Sequence, residues 1–258
     1  GLEYDPTGRV RHIPANGRTA AIPEHFKTKA YPTYEAYELI WIWWGDDPPD
    51  DLAPPRFFEG LDGGSLVHAK FTDLWNVHYS RAIENQLDTP HVPFLHWDTF
   101  GRGGKFVVDG PGLLWLADDT FMVQPMFRKD DGTPAKKTDE MEMPLPKDYK
   151  MQFIFPNLWE NYVNKKMRVV VAFAPVDEEH TLFYLRVYQG FVTLPILGKF
   201  LTRMMLPMNR HILRQDRVVV NTHQVKASQL KGGEKLIPAD RPIMEYRKKR
   251  QALIDLSN

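Results

Sequence analysis

No cysteine occurs among the 258 residues of this chain. Within these residues that excludes disulfide bonds, a thiolate zinc site, a catalytic thiol and any cysteine-held iron–sulfur cluster. Neither sign of charge is in excess: 33 basic residues stand against 33 acidic ones, so no overall field favours nucleic acid or anionic lipid. Nor is there a hydrophobic run of membrane-spanning length. The most apolar stretch, Phe183 to Leu206, is interrupted by Arg186, Lys199 and Arg203. The first residues, Gly1-Leu2-Glu3-Tyr4-Asp5, lack the basic start and apolar run of a secretion signal. The expectation is a soluble, cytoplasmic protein with no membrane span and no nucleic-acid partner.

Hydrophobic residues make up 43% of the chain and seven are tryptophans, enough to bury one sizeable core. Three parts are legible, with no internal repeat. Gly1 to about Asp50 is short and strand-like. It has a turn signature at Asp5-Pro6-Thr7-Gly8-Arg9 and a β-rich run from Tyr37 to Trp44 that ends at Gly45-Asp46-Asp47-Pro48-Pro49. That run is apolar on both faces, which predicts a strand covered on two sides. The middle part opens with a strand and a helix in which Ser80 is the expected N-cap, Ile83 and Leu87 form an apolar pair one turn apart, and Glu84 reads as first-turn surface charge. Strands are expected at Lys105–Val108, Leu113–Leu116, Phe121–Phe127, Met151–Phe155, Arg168–Ala174 and Thr181–Val187. The charged, proline-containing segment Arg128–Lys150 reads as a mobile loop. The last part is helical: Leu197–Lys226 forms a long helix that Pro207 should kink or split, and the basic cluster Glu245–Arg250 reads as a solvated helix face.

The most informative segment is Glu84-Asn85-Gln86-Leu87-Asp88-Thr89-Pro90-His91-Val92-Pro93-Phe94-Leu95-His96. A spacing of five would put His91 and His96 about 140° apart on a regular helix. Pro90 and Pro93 make regular helix unfavourable where the two rings have to converge. Far downstream, Asp216 has Ile212, Leu213, Val219 and Val220 as its helical neighbours, which places a carboxylate in the middle of an apolar face. Such a carboxylate needs a compensating cation or donors, and Arg217, Arg214 or a backbone donor would also serve. Two imidazoles and a distant carboxylate are what a mononuclear iron site with open positions requires. Asp88, three residues before His91, is placed to accept that ring's free N–H, and Asn85 lies one turn earlier and can reach the same pocket. Asp88 and Asn85 are therefore the candidate catalytic residues beside the candidate ligands His91, His96 and Asp216. Gly101-Arg102-Gly103-Gly104 lacks the lysine and hydroxyl pattern of a phosphate loop and reads as a turn at the site mouth. Phe94, Trp97, Phe100, Trp115, Phe153 and Phe155 are candidates to line an apolar substrate pocket.

Taken together, Glu84-Asn85, Asp88, His91, His96, Asp216 within Gln215-Asp216-Arg217-Val218-Val219-Val220, and Gln224 resemble the Rieske-type non-haem iron ring-hydroxylating oxygenases. The resemblance implies an α+β, helix-grip catalytic domain, with a curved antiparallel sheet around a long C-terminal helix. It implies one Fe(II) held by His91, His96 and Asp216, and trimeric assembly in which Asp88 bridges the iron's histidine to a cluster-binding histidine of a neighbouring subunit. It also implies a terminal oxygenase that uses O₂ and electrons from NAD(P)H, through a reductase or ferredoxin, to hydroxylate or oxidatively dealkylate a small molecule. Members hold a [2Fe–2S] cluster through Cys-x-His and Cys-x-x-His pairs, and this chain has neither. Gly1–Arg9 resembles the sequence that follows the second pair, and Leu39–Asp46 resembles that domain's closing strand. Residues 1–50 are therefore expected to be the C-terminal remnant of a Rieske domain and 51–258 the mononuclear iron domain, with the cluster present only in a longer protein. The Trp and Phe content favours a monooxygenase acting on an apolar or aromatic substrate. Two other readings remain: a helix-grip ligand-binding protein in which the three side chains lie too far apart to share an ion, and a zinc hydrolase that uses Asp88 as general base.

Overall fold

A computed structural model describes residues 1–45, 53–145 and 148–257. The chain divides into two compact units, Gly1–Phe57 and Phe58–Asn258. The boundary expected between residues 50 and 51, and most of the turn expected from Gly45 to Pro49, lie outside the described residues.

The first unit consists of two small antiparallel hairpins. Strands β1 (Glu3–Tyr4) and β2 (Val10–His12) flank the expected turn, where Asp5 accepts hydrogen bonds from the backbone of Thr7 and Arg9 and from the Thr7 hydroxyl. The Tyr37–Trp44 run is not one strand. Tyr37 and Glu38 both take positive φ, 56° and 55°, and form the two-residue turn between β3 (Thr33–Ala36) and β4 (Leu39–Ile42). A tight hairpin of this length demands positive φ at both central residues, and that requirement overrides the β-propensity of Tyr37. Nor is the run covered on two sides: Ile40 is 73% exposed and Ile42 58%.

The second unit is built on a seven-stranded antiparallel sheet in the order β5-β11-β10-β9-β8-β7-β6. Its strands are β5 (Val67–Trp75), β6 (Val107–Ala117), β7 (Thr120–Arg128), β8 (Lys150–Ile154), β9 (Leu158–Asn164), β10 (Met167–Pro175) and β11 (Thr181–Gln189). Register places Phe183 opposite Phe173, and Leu185 opposite both Val171 and Phe71, so one face of these strands is continuously apolar. That face forms the core with Trp75, Phe121, Phe153, Phe173 and Phe183, all fully buried. Helix α1 (Tyr79–Leu87) adds Ala82, Ile83 and Leu87 to this core. Burying Ile83 and Leu87, the pair expected from their spacing, stabilises by about 1.5–3 kcal/mol each.

The long helix α3 (Pro195–Val220) packs against β5 and β11 and contributes Leu213 and Val220 to the core. This is the α+β helix-grip arrangement expected from the resemblance. The helix is anchored where it starts. The buried amide of Gln189, at the end of β11, accepts from the backbone of Phe191 and Val192 and donates to the Val192 carbonyl and to the Thr202 hydroxyl. Gly198 permits this approach, because a Cβ there would stand 2.5 Å from the Val192 carbonyl oxygen. Of the two outcomes expected at Pro207, a kink or a split, the split does not occur: α3 runs through it. Pro207 sits at an exposed position of the helix. The helix ends at Val220, short of Lys226.

Other differences from the sequence reading have local causes. Val107, Val108 and Leu113–Leu116 belong to a single strand, β6, which leaves out the expected Lys105 and Phe106 and whose pairing is interrupted by an irregularity between Asp109 and Gly112, around Pro111. Strand β9 was hidden by Glu160 and its neighbouring asparagine, residues atypical of strands. Glu160 is fully buried and ion-paired with Arg168, and burial pushes its carboxyl up against that pull. His78, not Ser80, caps α1: its ring Nδ1 accepts from the Ser80 backbone N–H at 3.2 Å. The segment between β7 and β8 is tied down in its described part. Asp109 accepts from Arg128 and from the Lys136 backbone, and the Gln124 side chain accepts from the Leu145 backbone; Pro146 and Lys147 lie outside the described residues.

Glu84 and the basic cluster require a larger correction. Glu84 is 4% exposed and receives Arg81 at 2.6 Å, Arg247 at 2.6 and 3.1 Å, and the Ser228 hydroxyl. Both arginines also reach Glu234, at 2.8 and 2.6 Å. Arg247 is therefore buried in an ion-pair ring that fastens helix α4 (Arg241–Ser257) to α1, rather than lying on a solvated face. Hydropathy cannot distinguish a paired charge from a solvated one.

Candidate metal centre

The site assembles where the end of α1, the following turn and the second half of α3 meet. α1 stops at Leu87, with Asp88 as its C-cap and Pro90 two residues beyond. A short helix, α2 (Val92–Leu95), has His91 at one end and His96 at the other. Gly101 closes the turn behind it: its N–H donates to the His96 carbonyl at 2.9 Å, and a Cβ there would lie 2.4 Å from the Val92 carbonyl oxygen. Contrary to expectation, Pro93 does not prevent helix here: it sits in the first turn of α2, a position where proline is tolerated, and the rings converge from the two ends of that single turn.

They converge on Asp216. His96 Nε2 lies 3.1 Å from Asp216 Oδ1, His91 Nε2 lies 3.5 Å from the same oxygen, and the two Nε2 atoms are 3.3 Å apart. These spacings fit a metal ion. Bonds of about 2.1 Å place neighbouring ligand atoms about 3.0 Å apart at right angles and about 3.4 Å apart at tetrahedral angles. The donor set, two imidazole nitrogens and one carboxylate oxygen, suits a non-haem iron centre with open positions. Asp216 and His96 are buried, with side chains 4% and 2% exposed, whereas His91 is 18% exposed, so the site opens on the His91 side. Neither basic neighbour pairs with Asp216; Arg217 turns instead to Asp73 at 3.0 Å.

The surrounding groups set proton positions. Burial pushes the His96 imidazole down, but the hydrogen bond and charge of Asp216, with Gln215 and Asp98 behind it, prevail and hold it above the ordinary value. His91 Nδ1 is buried without a hydrogen bond among the described residues, and Asp88 Oδ2 lies 3.5 Å away; the other Asp88 oxygen accepts from the His91 backbone N–H at 3.3 Å. Asp88 therefore stands on the side of the ring away from the triad. Asn85 directs its amide nitrogen at Asp216 Oδ1, 3.5 Å away, while Gln86 donates to the Asn85 oxygen at 2.8 Å.

The expected aromatic lining does not form a single pocket. Trp115, Phe153 and Phe155 pack with Phe121 and Tyr246, away from the triad's own ring neighbours. Phe100 lies beside the His96 ring at 4.7 Å, and Phe94 stacks on Phe106. Phe94, Trp97 and Phe100 are each more than half exposed. A cleft lined by Trp115, Leu116, Asp118, Glu245 and Lys248 contains none of the triad residues. Sequence reasoning overlooked Gln215 and Asp98, which stand behind His96; Gln215's position immediately before Asp216 was the available signal.

Residues 75–256 match the model of the vanillate O-demethylase oxygenase C-terminal domain. The chain belongs to that family. This is the Rieske-type oxygenase relationship expected from the motif. Among curated proteins, it is 33% identical over 119 residues to chlorophyllide a oxygenase, chloroplastic, of Arabidopsis thaliana, covering 44% of this chain and 21% of that protein. It is 28% identical over 142 residues to the oxygenase component of dicamba O-demethylase from Stenotrophomonas maltophilia, covering 52% of this chain and 38% of that one. The matches thus span well under half the length of these relatives. Among solved structures, the Pseudomonas putida CBB5 NdmA QL mutant with theobromine superposes with a TM-score of 0.71 at 18% identity, over 97% of this chain and 68% of that one. Dicamba monooxygenase bound to dicamba superposes with a TM-score of 0.67 at 16% identity, over 99% and 78%. At such identities the likeness is one of fold. None of the described helices is long and apolar enough to cross a membrane.

Proposed function

We propose that this chain is the catalytic part of a terminal oxygenase in which His91, His96 and Asp216 hold one Fe(II), and that it hydroxylates or oxidatively dealkylates an apolar or aromatic small molecule. The observation that carries the reading is the convergence of two imidazole nitrogens and one buried carboxylate oxygen within 3.1–3.5 Å. Family membership supports it, as do the names of the relatives, which include a demethylase, a monooxygenase system subunit and an N-alkylformylase. Bound Fe(II) supplies the one-electron and O₂ chemistry that side chains lack. The residues of the chain supply the rest. Asp216 contributes the negative charge, Gln215 faces His96 Nδ1 and leaves Nε2 as the nitrogen toward the metal, and Asn85 offers its amide to the carboxylate. Asp88, partly exposed beside His91, is placed to receive a histidine from another subunit and so to link the centre to an electron source.

On this reading residues 1–50 are the end of a Rieske domain. The [2Fe–2S] cluster lies outside these residues, electrons come from NAD(P)H through a reductase or ferredoxin, and the assembly is a cytoplasmic homotrimer. The rival binding scaffold required the three side chains to lie apart, and they do not. The zinc hydrolase required Asp88 to serve the centre as a base, but Asp88 faces the far nitrogen of His91.

The test is metal content after anaerobic purification, with iron and zinc counted together. About one mononuclear iron per chain is expected, plus two more wherever a cluster domain accompanies it. Zinc in its place, or no iron after reconstitution with Fe(II), overturns the proposal.

A further inference from the structure

Behind His96 a chain of hydrogen bonds runs outward to the surface. His96 Nδ1 is 2.9 Å from Gln215 Oε1, Gln215 Nε2 is 3.0 Å from Asp98 Oδ1, and Asp98 Oδ2 is 3.2 Å from His211 Nε2. The direction of these bonds follows from which groups hold protons. Asp98 offers two carboxylate oxygens, one 3.0 Å from Gln215 Nε2 and the other 3.2 Å from His211 Nε2, and a carboxylate only accepts. Of the two ends of the Gln215 amide, only the NH₂ has protons to give, so that end faces Asp98. The carbonyl end then faces His96, and a carbonyl cannot donate. His96 Nδ1 must therefore carry a proton, which leaves Nε2, the atom 3.1 Å from Asp216 Oδ1, as the nitrogen that gives up its proton to take a metal.

We propose that Asp98 and Gln215 form a positioning relay that fixes the His96 tautomer, Asp98 acting through the orientation of the Gln215 amide. The inference rests on the reading of His91, His96 and Asp216 as metal ligands and adds to it residues that are not themselves ligands. His91 shows the contrast. Its Nδ1 has no hydrogen bond among the described residues, so His96 is the ring whose tautomer is set within the chain. The control point lies near the surface: the Asp98 side chain is 34% exposed and that of His211 52%.

The experiment reverses one link and then repairs it. Asp98→Lys replaces an acceptor with a group that only donates. The Gln215 amide then turns its oxygen outward and its NH₂ toward His96 Nδ1, which has to become the lone-pair nitrogen. The proton moves to Nε2, where it competes with the metal. Fe(II) affinity, measured anaerobically by competition with a chromophoric chelator, should fall about 10–100-fold. Adding Gln215→Glu in the same chain should restore it, because a carboxylate accepts from the lysine on one side and from His96 Nδ1–H on the other. Gln215→Leu, which removes the acceptor without adding charge, should fall by a similar factor. Circular dichroism and melting temperature identify any variant that has lost its fold.

Undiminished affinity in Asp98→Lys overturns the relay, and so does a double variant as weak as the single one. A purely structural role for Asp98 would not be repaired at position 215. Failure of the unsubstituted protein to bind Fe(II) overturns the ligand assignment itself, and the relay with it.

Discussion

His96 Nε2 and Asp216 Oδ1 lie 3.1 Å apart, and His91 Nε2 completes a triangle at 3.3 Å from the first and 3.5 Å from the second. A carboxylate that is 4% exposed receives almost no help from water, so its charge has to be met within the triangle. The Asn85 amide, at 3.5 Å, is too far to do this alone. Either a cation or a ring proton must supply the compensation. The two compete for the same nitrogens, so metal affinity, protonation and stability are linked in this protein.

Without metal, the proton takes the cation's place, and the raised pKa of His96 reports it. A folded-state pKa above the unfolded value gives stabilisation that is fully present below the unfolded imidazole value, about 6.5, and is lost as pH rises through the folded value. Metal-free protein should therefore melt at progressively lower temperature on going from about pH 6 to about pH 8.5. Fe(II)-loaded protein should show the reverse trend, because deprotonation exposes the ligands. Parallel melting curves across this range would count against the exchange of proton for metal.

Removing a ligand should separate metal from fold. His96→Ala deletes one corner of the triangle at the end of a four-residue helix, where the buried ring packs beside Phe100 and not in the core of the sheet. Iron should drop from about one per chain to a small fraction. Melting of the metal-free protein should also fall, because a buried ring and its partnership with Asp216 are lost, while circular dichroism shows the fold retained. Retention of stoichiometric iron by this variant would exclude His96 as a ligand.

The Glu84 ring makes a different prediction. Glu84→Ala leaves Arg81 and Arg247 buried, with Glu234 the one carboxylate left to them among the described residues and the Val225 carbonyl still accepting from Arg81. Breaking one partner of such a buried set costs about 3–5 kcal/mol. In a domain of this size that lowers the melting temperature by about 6–20 °C. A shift within error would mean that the arginines find water or new partners. The same ring should weaken in acid. Although burial opposes it, hydrogen bonds from Arg81 and Arg247 hold the Glu234 carboxyl below its ordinary value. Its stabilisation is present above the unfolded value of about 4.3 and disappears as pH falls through the lower folded value.

The contrast between Asp216 and Glu84 shows how far the sequence could be read. Both are buried carboxylates on helices. Asp216 was recognisable because its neighbours at three and four positions are all apolar, so a charge there contradicts its surroundings. Glu84 sits one turn from Arg81 and among polar neighbours, which describes a solvated helix face equally well. Its burial depends on Arg247 and Glu234 arriving from the other end of the domain, which no local pattern encodes. The strands were legible where residues alternate or run apolar, as in β10 and β11. They were missed in β9, where a buried Glu160–Arg168 pair mimics a polar loop. His91 and His96 were legible as ligands from their place beside Asp88 in a proline-containing segment, although one helical turn, Val92–Leu95, lies between them; Asp98 and Gln215 carry no such mark. Their importance lies in hydrogen-bond direction, which appears only in three dimensions.

Asp88 provides the sharpest separation between holding a metal and using it. Its Oδ2 lies 3.5 Å from His91 Nδ1, on the face of that ring away from Asp216, and the side chain is 32% exposed. Truncating it removes no ligand and opens no cavity in the core. Asp88→Ala should therefore retain about one mononuclear iron per chain, with Fe(II) affinity reduced by no more than the about 10–100-fold typical of losing a partner behind a ligand. If Asp88 carries electrons or protons between subunits, turnover of the complete, reductase-coupled protein should nevertheless be nearly abolished. Single-turnover oxidation by a chemically reduced sample should be far less affected. Full turnover in Asp88→Ala would remove the bridging role. Loss of iron together with turnover would instead make Asp88 a support for His91, with its free carboxylate oxygen serving the metal and not a neighbouring subunit.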